Sequence, residues 1–177
     1  DIDILDIATP PDTHETLIAL ALARGVRRII CQKPFCGTLP AARRMTGLAA
    51  ETGADLIVHE NFRFQPWYRV LKDIIASGRL GRIFQFHLAL RPGDGRGPDA
   101  YLDRQPYFQT MERFLVHETA VHFLDVFTYL FGRPDHVYAD LRRLNPHIAG
   151  EDAGLIICGY EDGRRAVFDG NRLADHA

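Results

Sequence analysis

This chain has very few lysines, although it has many positively charged side chains. Only two lysines, Lys33 and Lys72, stand beside nineteen arginines, so arginine supplies nearly all of the positive side-chain charge. Arginine stays protonated in proteins, whereas a partly buried lysine can lower its pKa and exchange a proton. Lys33 lies between the apolar run 29–31 and Pro34, at the predicted carboxyl end of a buried strand. A solvated strand-end lysine would have the same sequence signature, so position alone leaves both interpretations open.

Low net charge, the lack of long apolar stretches and the small number of cysteines exclude several classes of protein. The net charge is only -2 and no segment carries a basic run, which argues against nucleic-acid and membrane-surface partners. No apolar stretch reaches the roughly 18 residues of a membrane span, and no signal peptide is visible. The three cysteines, Cys31, Cys36 and Cys158, lack disulfide or zinc spacing. We therefore expect reduced structural thiols, no metal site and a cytoplasmic location.

The first 62 residues alternate between short apolar strands and helices. Strands are predicted at 3–8, 28–31 and 56–59. One helix is predicted to be capped by Asp12, with Glu15 as its capping-box partner, and to end at Gly25. The second begins at Thr38 and Pro40 and ends at Gly53. This β-α-β-α-β order predicts a parallel, doubly wound α/β sheet.

Polar residues follow each of these strands. They are Thr9-Pro10, Gln32-Lys33-Pro34 and Glu60 to Arg63. In doubly wound sheets, ligands bind beyond the carboxyl ends of the strands. We expect these three ends to converge on one crevice.

Residues 63–177 predict an α+β domain with an open, mainly antiparallel sheet. Its helices are expected at 66–77 and 116–131, and its strands at 81–88, 137–141, 155–160 and 165–169, the last two forming a hairpin across Asp162-Gly163. Residues 92–110 are rich in Gly, Pro and Asp and lack the helix that would follow a phosphate-binding turn. We interpret them as a flexible loop.

The second long helix holds two histidines and two carboxylates. His117-Glu118 suggests a zinc protease, but His117 and His122 are five residues apart, about 140° around an α-helix, and that motif needs a spacing of four. Glu118, His122 and Asp125 do share one face. A carboxylate one turn from a histidine makes a proton-transfer pair, although a half-buried structural histidine would show the same spacing.

Four stretches of the chain carry a family resemblance. They are residues 8–14 (ATPPDTH), 31–34 (CQKP), 59–66 (HENFRFQP) with 78–83 (GRLGRI) after it, and 118–125 (ETAVHFLD). In this order they resemble the motifs of the Gfo/Idh/MocA oxidoreductases, a family named after glucose-fructose oxidoreductase, inositol dehydrogenase and a rhizopine-catabolism protein. The resemblance implies an NAD(P)-dependent dehydrogenase of sugars, polyols or related small molecules, with NAD or NADP as the cofactor.

The resemblance also implies roles for individual residues. Lys33 would contact the substrate hydroxyl as well as the cofactor, and His122 would be the acid/base with Glu118 beside it, so these three are the predicted catalytic residues. The predicted cofactor-binding residues are Thr9, Pro10, His14, Gln32, Lys33, Pro34, Asn61 and Arg63. His14 as a helix-start residue and Arg63 as a solvated arginine remain structural alternatives.

Three features depart from the family pattern. Gln32 stands where the family has Glu, and Glu118 where many members have Asp. No Gly-x-Gly-x-x-Gly turn follows an initial strand, and that turn would hold the pyrophosphate. We expect residues 1–62 to be a partial dinucleotide-binding domain and 63–177 a substrate-binding and oligomerisation domain that is incomplete at its carboxyl end. Whether the chain is a piece of a longer protein or a natural remnant, we expect it not to bind NAD(P) tightly by itself.

Three functional hypotheses follow. The first is an oxidoreductase acting on a sugar or polyol and assembled as a homo-oligomer, either a dimer or a tetramer. The second is a non-catalytic sugar-binding or assembly module that has lost the cofactor half. The third is the family's less common NAD-dependent cleavage of glycosides, in which hydride transfer is transient.

Overall fold

The computed structural model describes residues 2–175. They form two compact units that divide after Glu60, two residues before the predicted domain boundary. Phe62 falls in the second unit because its ring packs against His122 and Phe123. None of the helices within residues 2–175 combines the length and the apolar character that a membrane crossing requires.

The first unit is a parallel three-stranded sheet with two helices. The strands are β1 (Leu5–Ile7), β2 (Arg28–Gln32) and β3 (Asp55–His59), hydrogen-bonded in the order β1-β2-β3, and the connections contain α1 (His14–Ala23) and α2 (Leu39–Thr52). Ile29 and Cys31 of β2 are buried in one core with Ile18 of α1 and Met45 of α2. The predicted β-α-β-α-β arrangement is confirmed.

The two helices of this unit begin differently. At α2 the Thr38 side chain accepts a hydrogen bond from the Ala41 N–H at 3.3 Å, as the sequence predicts. The expected cap at Asp12 is wrong: a 3₁₀ turn spans Pro11–Thr13, and α1 has no side-chain cap. Pro11 has no N–H and a helical φ, so the chain coils one turn early. The Thr13 hydroxyl instead donates to the Pro10 carbonyl at 2.7 Å.

The second unit contains a four-stranded sheet and two α-helices. The strands are β4 (Gln85–Leu90), β5 (His136–Arg142), β6 (Ala153–Gly159) and β7 (Arg165–Asn171), and the helices are α3 (Pro66–Ala76) and α4 (Val121–Phe131). The sheet order is β4-β7-β6-β5, with β4 parallel to β7 and the other two pairs antiparallel. Phe127 of α4 and Phe168 of β7 are buried in its core. The predicted open, mainly antiparallel sheet is confirmed.

Strand β4 begins four residues later than predicted. Gly81 has a φ of 64°, and its N–H donates to the Gly78 carbonyl at 2.9 Å. Residues 78–81 therefore close a turn, and the extended conformation starts only at Gln85.

The loop at 92–110 is fastened to the second unit rather than free. The buried Asn145 side chain donates to the carbonyls of Gly95 and Gly97 at 2.8 and 2.9 Å. Arg172, also buried, pairs with Asp94 at 2.5 Å. A Cβ added at Gly95 would lie 2.5 Å from the Tyr101 hydroxyl, so this glycine allows a close approach rather than mobility. The expectation of a flexible loop is wrong because its anchors come from distant segments.

Candidate active site

The buried imidazole of His14 lies between two of the predicted strand ends. His14 has no exposed surface. Its Nε2 lies 2.9 Å from the Thr9 carbonyl oxygen, and its Nδ1 lies 3.2 Å from that of Pro34 and 3.3 Å from that of Phe35. The loop after β1 and the turn after β2 therefore adjoin, as the parallel sheet predicts. His14 was expected to border the cofactor, and this stays a prediction; in the structure its ring packs between these two loops.

The turn after β2 carries Lys33. The lysine is half-buried, Pro34 is buried, and the peptide bond between them is cis. Thr9 and Pro10, at the end of the neighbouring strand, are exposed. The first unit thus presents an ammonium group beside two accessible residues at one edge of its sheet.

Gln32 makes a contact that the sequence analysis did not anticipate. It is in register with His59 on the adjacent strand, and its Nε2 lies 2.5 Å from His59 Nδ1. Both residues occupy the last position of their strands. Equal strand ends in a parallel sheet were the only sequence signal for this pair.

The predicted acid/base residues lie at a change of helix type. A π-helical turn, Leu115–Ala120, runs directly into α4 at Val121. Glu118 lies in the π turn and is buried, whereas His122 is in the first turn of α4 and half-buried. π-helical turns are rare and occur frequently at functional sites. The assumption of one regular α-helix, on which the angular argument about His117 rested, was therefore wrong.

Aromatic rings and a tyrosine lie close to this turn. The phenyl ring of Phe62 is stacked on the His122 imidazole, with centroids 4.0 Å apart and planes inclined by 12°. Burial, and secondarily the negative charge of Glu118, raise the pKa of Tyr107. Tyr107 belongs to the fastened loop, in the 3₁₀ turn Pro106–Thr110. The second unit thus gathers an imidazole, a buried carboxyl group and a phenol in one region.

Arg63 forms an ion pair with Asp125 of helix α4. Its Nε donates to Asp125 Oδ2 at 2.7 Å, and its Nη2 donates to Asp125 Oδ1. This bidentate pair fixes the segment that contains Phe62 to α4. Asn61, another predicted cofactor residue, is exposed and precedes the 3₁₀ turn Phe62–Phe64.

Sequence reasoning missed Phe62 and His59 and left Asp125 without a partner. Phe62 lies between the predicted site residues Asn61 and Arg63, but an aromatic side chain is more often part of a core, so its sequence position gave no signal. Among residues 2–175 no group of three or more His, Cys, Asp or Glu side chains is arranged to hold a metal ion.

Comparison with known proteins assigns both parts of the chain to one family. Residues 1–60 match the sequence model of an oxidoreductase family with an NAD-binding Rossmann fold. Residues 68–177 match that of the GFO/IDH/MocA C-terminal domain. The chain belongs to the Gfo/Idh/MocA family. The resemblance carried by the four motifs is thereby confirmed.

Relatives within the Gfo/Idh/MocA family include sugar and polyol dehydrogenases. D-apiose dehydrogenase of Paraburkholderia graminis is 38% identical over 168 residues, which cover 95% of this chain and 43% of the relative. Inositol 2-dehydrogenase of Rhizobium meliloti is 27% identical over 181 residues, or 99% of this chain and 52% of the relative. The chain spans about half the length of the curated relatives it matches.

A solved oxidoreductase structure shows the same fold. A crystal structure of an oxidoreductase from Agrobacterium radiobacter, in complex with NAD+, L-tartaric acid and magnesium, matches with a TM-score of 0.88 and 32% identity. The match covers 99% of this chain and 49% of that one. The architecture of both units is therefore the one found in Gfo/Idh/MocA oxidoreductases.

Proposed function

We propose that the protein containing this chain is an NAD(P)-dependent oxidoreductase, which moves a hydride between a nicotinamide cofactor and the carbinol carbon of a sugar, polyol or related small molecule. The observation that carries the proposal is that residues 1–60 and 68–177 match the two parts of a single oxidoreductase family. Lys33 and His122 also occupy positions in that family's motifs. The names of two relatives, D-apiose dehydrogenase and inositol 2-dehydrogenase, support a polyhydroxylated substrate.

The edge of the first sheet suits the nicotinamide half of a dinucleotide. Ligands of doubly wound sheets bind beyond the carboxyl ends of the strands, and the His14 ring packs between two of those ends. Thr9 and Pro10 are accessible there, with Gln32, Lys33 and Pro34 on the adjoining turn. When bound, the nicotinamide would supply the hydride acceptor for alcohol oxidation.

We propose a separate part in the reaction for each of Lys33 and His122. The Lys33 ammonium would donate a hydrogen bond to the substrate oxygen and stabilise the alkoxide charge that develops there. The imidazole of His122 would take the hydroxyl proton as the carbinol carbon loses its hydride. Glu118, four residues earlier in the chain, would be the carboxyl group beside this imidazole. In the reverse direction His122 would return the proton to the carbonyl oxygen.

We propose that Asn61 and Arg63 also contribute to cofactor binding. Asn61 is exposed, so its side-chain amide can form a hydrogen bond with a ligand. The Arg63 guanidinium already donates to Asp125. We therefore assign direct contact to Asn61 and a supporting part to Arg63.

We further propose that the protein is a homo-oligomer that uses the open sheet. Tyr138 of β5 and Leu155 of β6 are 60% and 37% exposed, and large exposed apolar side chains on a sheet mark an association surface. Light scattering measures the mass of the wild-type assembly and of the Tyr138→Lys and Leu155→Lys variants in solution. We expect the variants to have the smaller mass.

Turnover and ligand binding separate the oxidoreductase from the non-catalytic alternative. The full-length protein should reduce NAD+ or NADP+ with at least one member of a panel of pentoses, hexoses and inositols, observed at the absorbance of the reduced nicotinamide. Thermal stabilisation by a sugar, without any response to NAD(H) or NADP(H), would instead establish a binding module. Release of an aryl group from an aryl glycoside only when NAD+ is present would establish glycoside cleavage.

A further inference from the structure

The last residues of β2 and β3 form a hydrogen-bonded pair that lies beside Lys33. The Gln32 amide and the His59 imidazole meet at 2.5 Å, through Gln32 Nε2 and His59 Nδ1. An amide nitrogen can only donate, so His59 Nδ1 is the acceptor and a neutral ring carries its proton on Nε2. The pair therefore couples the imidazole tautomer to the direction of the amide, so that either one determines the other.

An oriented amide differs chemically from a free one. A glutamine side chain offers a donor on one side and an acceptor on the other, and rotation about its last bond exchanges them. With the NH2 group held by His59, the carbonyl oxygen becomes the group that Gln32 turns toward a ligand. A carboxylate at this position would need no such partner, because both of its oxygens are acceptors.

We infer that His59 is a positioning residue, which holds the Gln32 amide so that its carbonyl oxygen accepts a hydrogen bond from a hydroxyl group of the bound dinucleotide. The inference rests on the proposed function, since it assumes that a dinucleotide binds at the strand ends. It explains how a glutamine can stand where the family motif has a glutamate. Acceptor chemistry would be kept while a negative charge is removed from the immediate neighbourhood of Lys33.

Replacing both members of the pair provides the test. In full-length protein, His59→Ala should weaken NADH binding, measured by fluorescence titration, by about three- to tenfold, the effect of losing one oriented hydrogen bond. Adding Gln32→Glu to His59→Ala should restore most of that affinity, because a carboxylate presents an acceptor in either orientation. A purely structural role for His59 predicts no rescue by Gln32→Glu, so the absence of rescue would overturn the inference.

A second measurement does not depend on the cofactor. At a pH where the His59 ring is neutral, the ¹⁵N NMR spectrum of the free protein should show the ring proton on Nε2, with the signals assigned by comparison with His59→Ala. A tautomer protonated on Nδ1 would mean that the amide faces the opposite way and would contradict the inference. Thermal unfolding of each variant identifies a loss of binding that arises from a loss of folding.

The same binding measurements distinguish a failure of this inference from a failure of the proposed function. Wild-type protein that binds neither NADH nor NADPH would defeat the proposed function itself. Wild-type binding that is unchanged in His59→Ala would leave the oxidoreductase standing and remove only the role of His59.

Discussion

The imidazole of His122 is stacked on the phenyl ring of Phe62, with centroids 4.0 Å apart. Phe62 in turn packs edge-on against Phe123, so the ring is held between two residues of one helix. Stacking of this kind limits the rotation of the imidazole without using either of its nitrogens. The residue proposed to transfer the proton is thus oriented by a side chain that has no acid–base chemistry.

Removing the Phe62 ring should slow turnover without removing the acid/base. Aromatic contacts contribute about 0.5–1.5 kcal/mol beyond area burial, which corresponds to roughly two- to tenfold in rate. We expect Phe62→Leu to lower kcat by about this factor and Phe62→Tyr to remain close to wild type. Steady-state kinetics measure both, and equal rates for the leucine and tyrosine variants would exclude orientation by stacking.

The Arg63–Asp125 pair should behave as a structural clamp. Arg63→Lys keeps the charge but loses the bidentate geometry, and hydrogen bonds to charged groups contribute about 1.5–3 kcal/mol when protected from water. Because both side chains are partly exposed, at 34% and 20%, we expect a loss of only about 1 kcal/mol in the free energy of unfolding. Urea denaturation measures this loss, with the exposed Arg69→Lys as a control that should stay within about 0.5 kcal/mol of wild type.

His14 should matter more for folding than its place near the cofactor loop suggests. His14→Ala would remove the buried ring that packs between the Thr9 and Pro34 carbonyl groups, together with its hydrogen bond, and would open a cavity. We expect it to lower the free energy of unfolding by on the order of 3 kcal/mol. His147→Ala, at an exposed position, is the matched control. Similar unfolding midpoints for the two variants would contradict the assigned role.

Alkaline pH should destabilise the first unit through Cys31. Burial, and then the neighbouring Cys36 and Asp6, raise the pKa of the Cys31 thiol to about 12 from an ordinary value of 9.0. Below pH 9 the thiol is protonated in both the folded and the unfolded states, so its full contribution to stability is present. Between pH 9 and about 12 only the unfolded state loses the proton, and stability falls by up to about 1.4 kcal/mol per pH unit.

The variant Cys31→Ala isolates this contribution. Its free energy of unfolding should fall less steeply between pH 9 and 11 than that of wild type, whatever the difference between the two at pH 8. Parallel slopes would show that Cys31 does not titrate differently in the folded and unfolded states. Urea denaturation at each pH provides the measurement.

The regular parts of the fold followed from sequence because local signals agreed with one another. Thr38, Pro40 and Gly53 bound α2 on both sides, and the Asp162-Gly163 turn set the hairpin of β6 and β7. In each case the signal and the structure it produces lie within a few residues. The parallel sheet followed in turn from the order of these elements.

The features that sequence did not predict depend on contacts between distant residues. The loop at 92–110 looks flexible by composition, but Asn145 and Arg172, some 50 and 78 positions further on, hold it in place. The π turn at Leu115–Ala120 has no propensity signature that distinguishes it from α-helix. It receives support from Glu151, whose main-chain carbonyl and side chain accept hydrogen bonds from Leu115 and Val116.

The residues of the candidate site likewise include some that the sequence predicted and some that it did not. The motifs pointed to Lys33, Glu118 and His122, whereas Phe62 and His59 were missed and Arg63 was not predicted as the partner of Asp125. Phe62, Asp125 and His59 act through geometry in the folded chain, and single-sequence patterns carry little information about that.

We propose that Lys33 and His122 both take part in hydride transfer, and single-turnover kinetics of the full-length protein measure the contribution of each. Lys33→Met, His122→Ala and the double variant should each remain folded, and each single change should slow hydride transfer by about 10²–10⁴-fold. The double variant should be little slower than the slower single variant, because residues that act as a unit are not additive. A folded Lys33→Met or His122→Ala protein that transfers hydride at the wild-type rate would contradict the account.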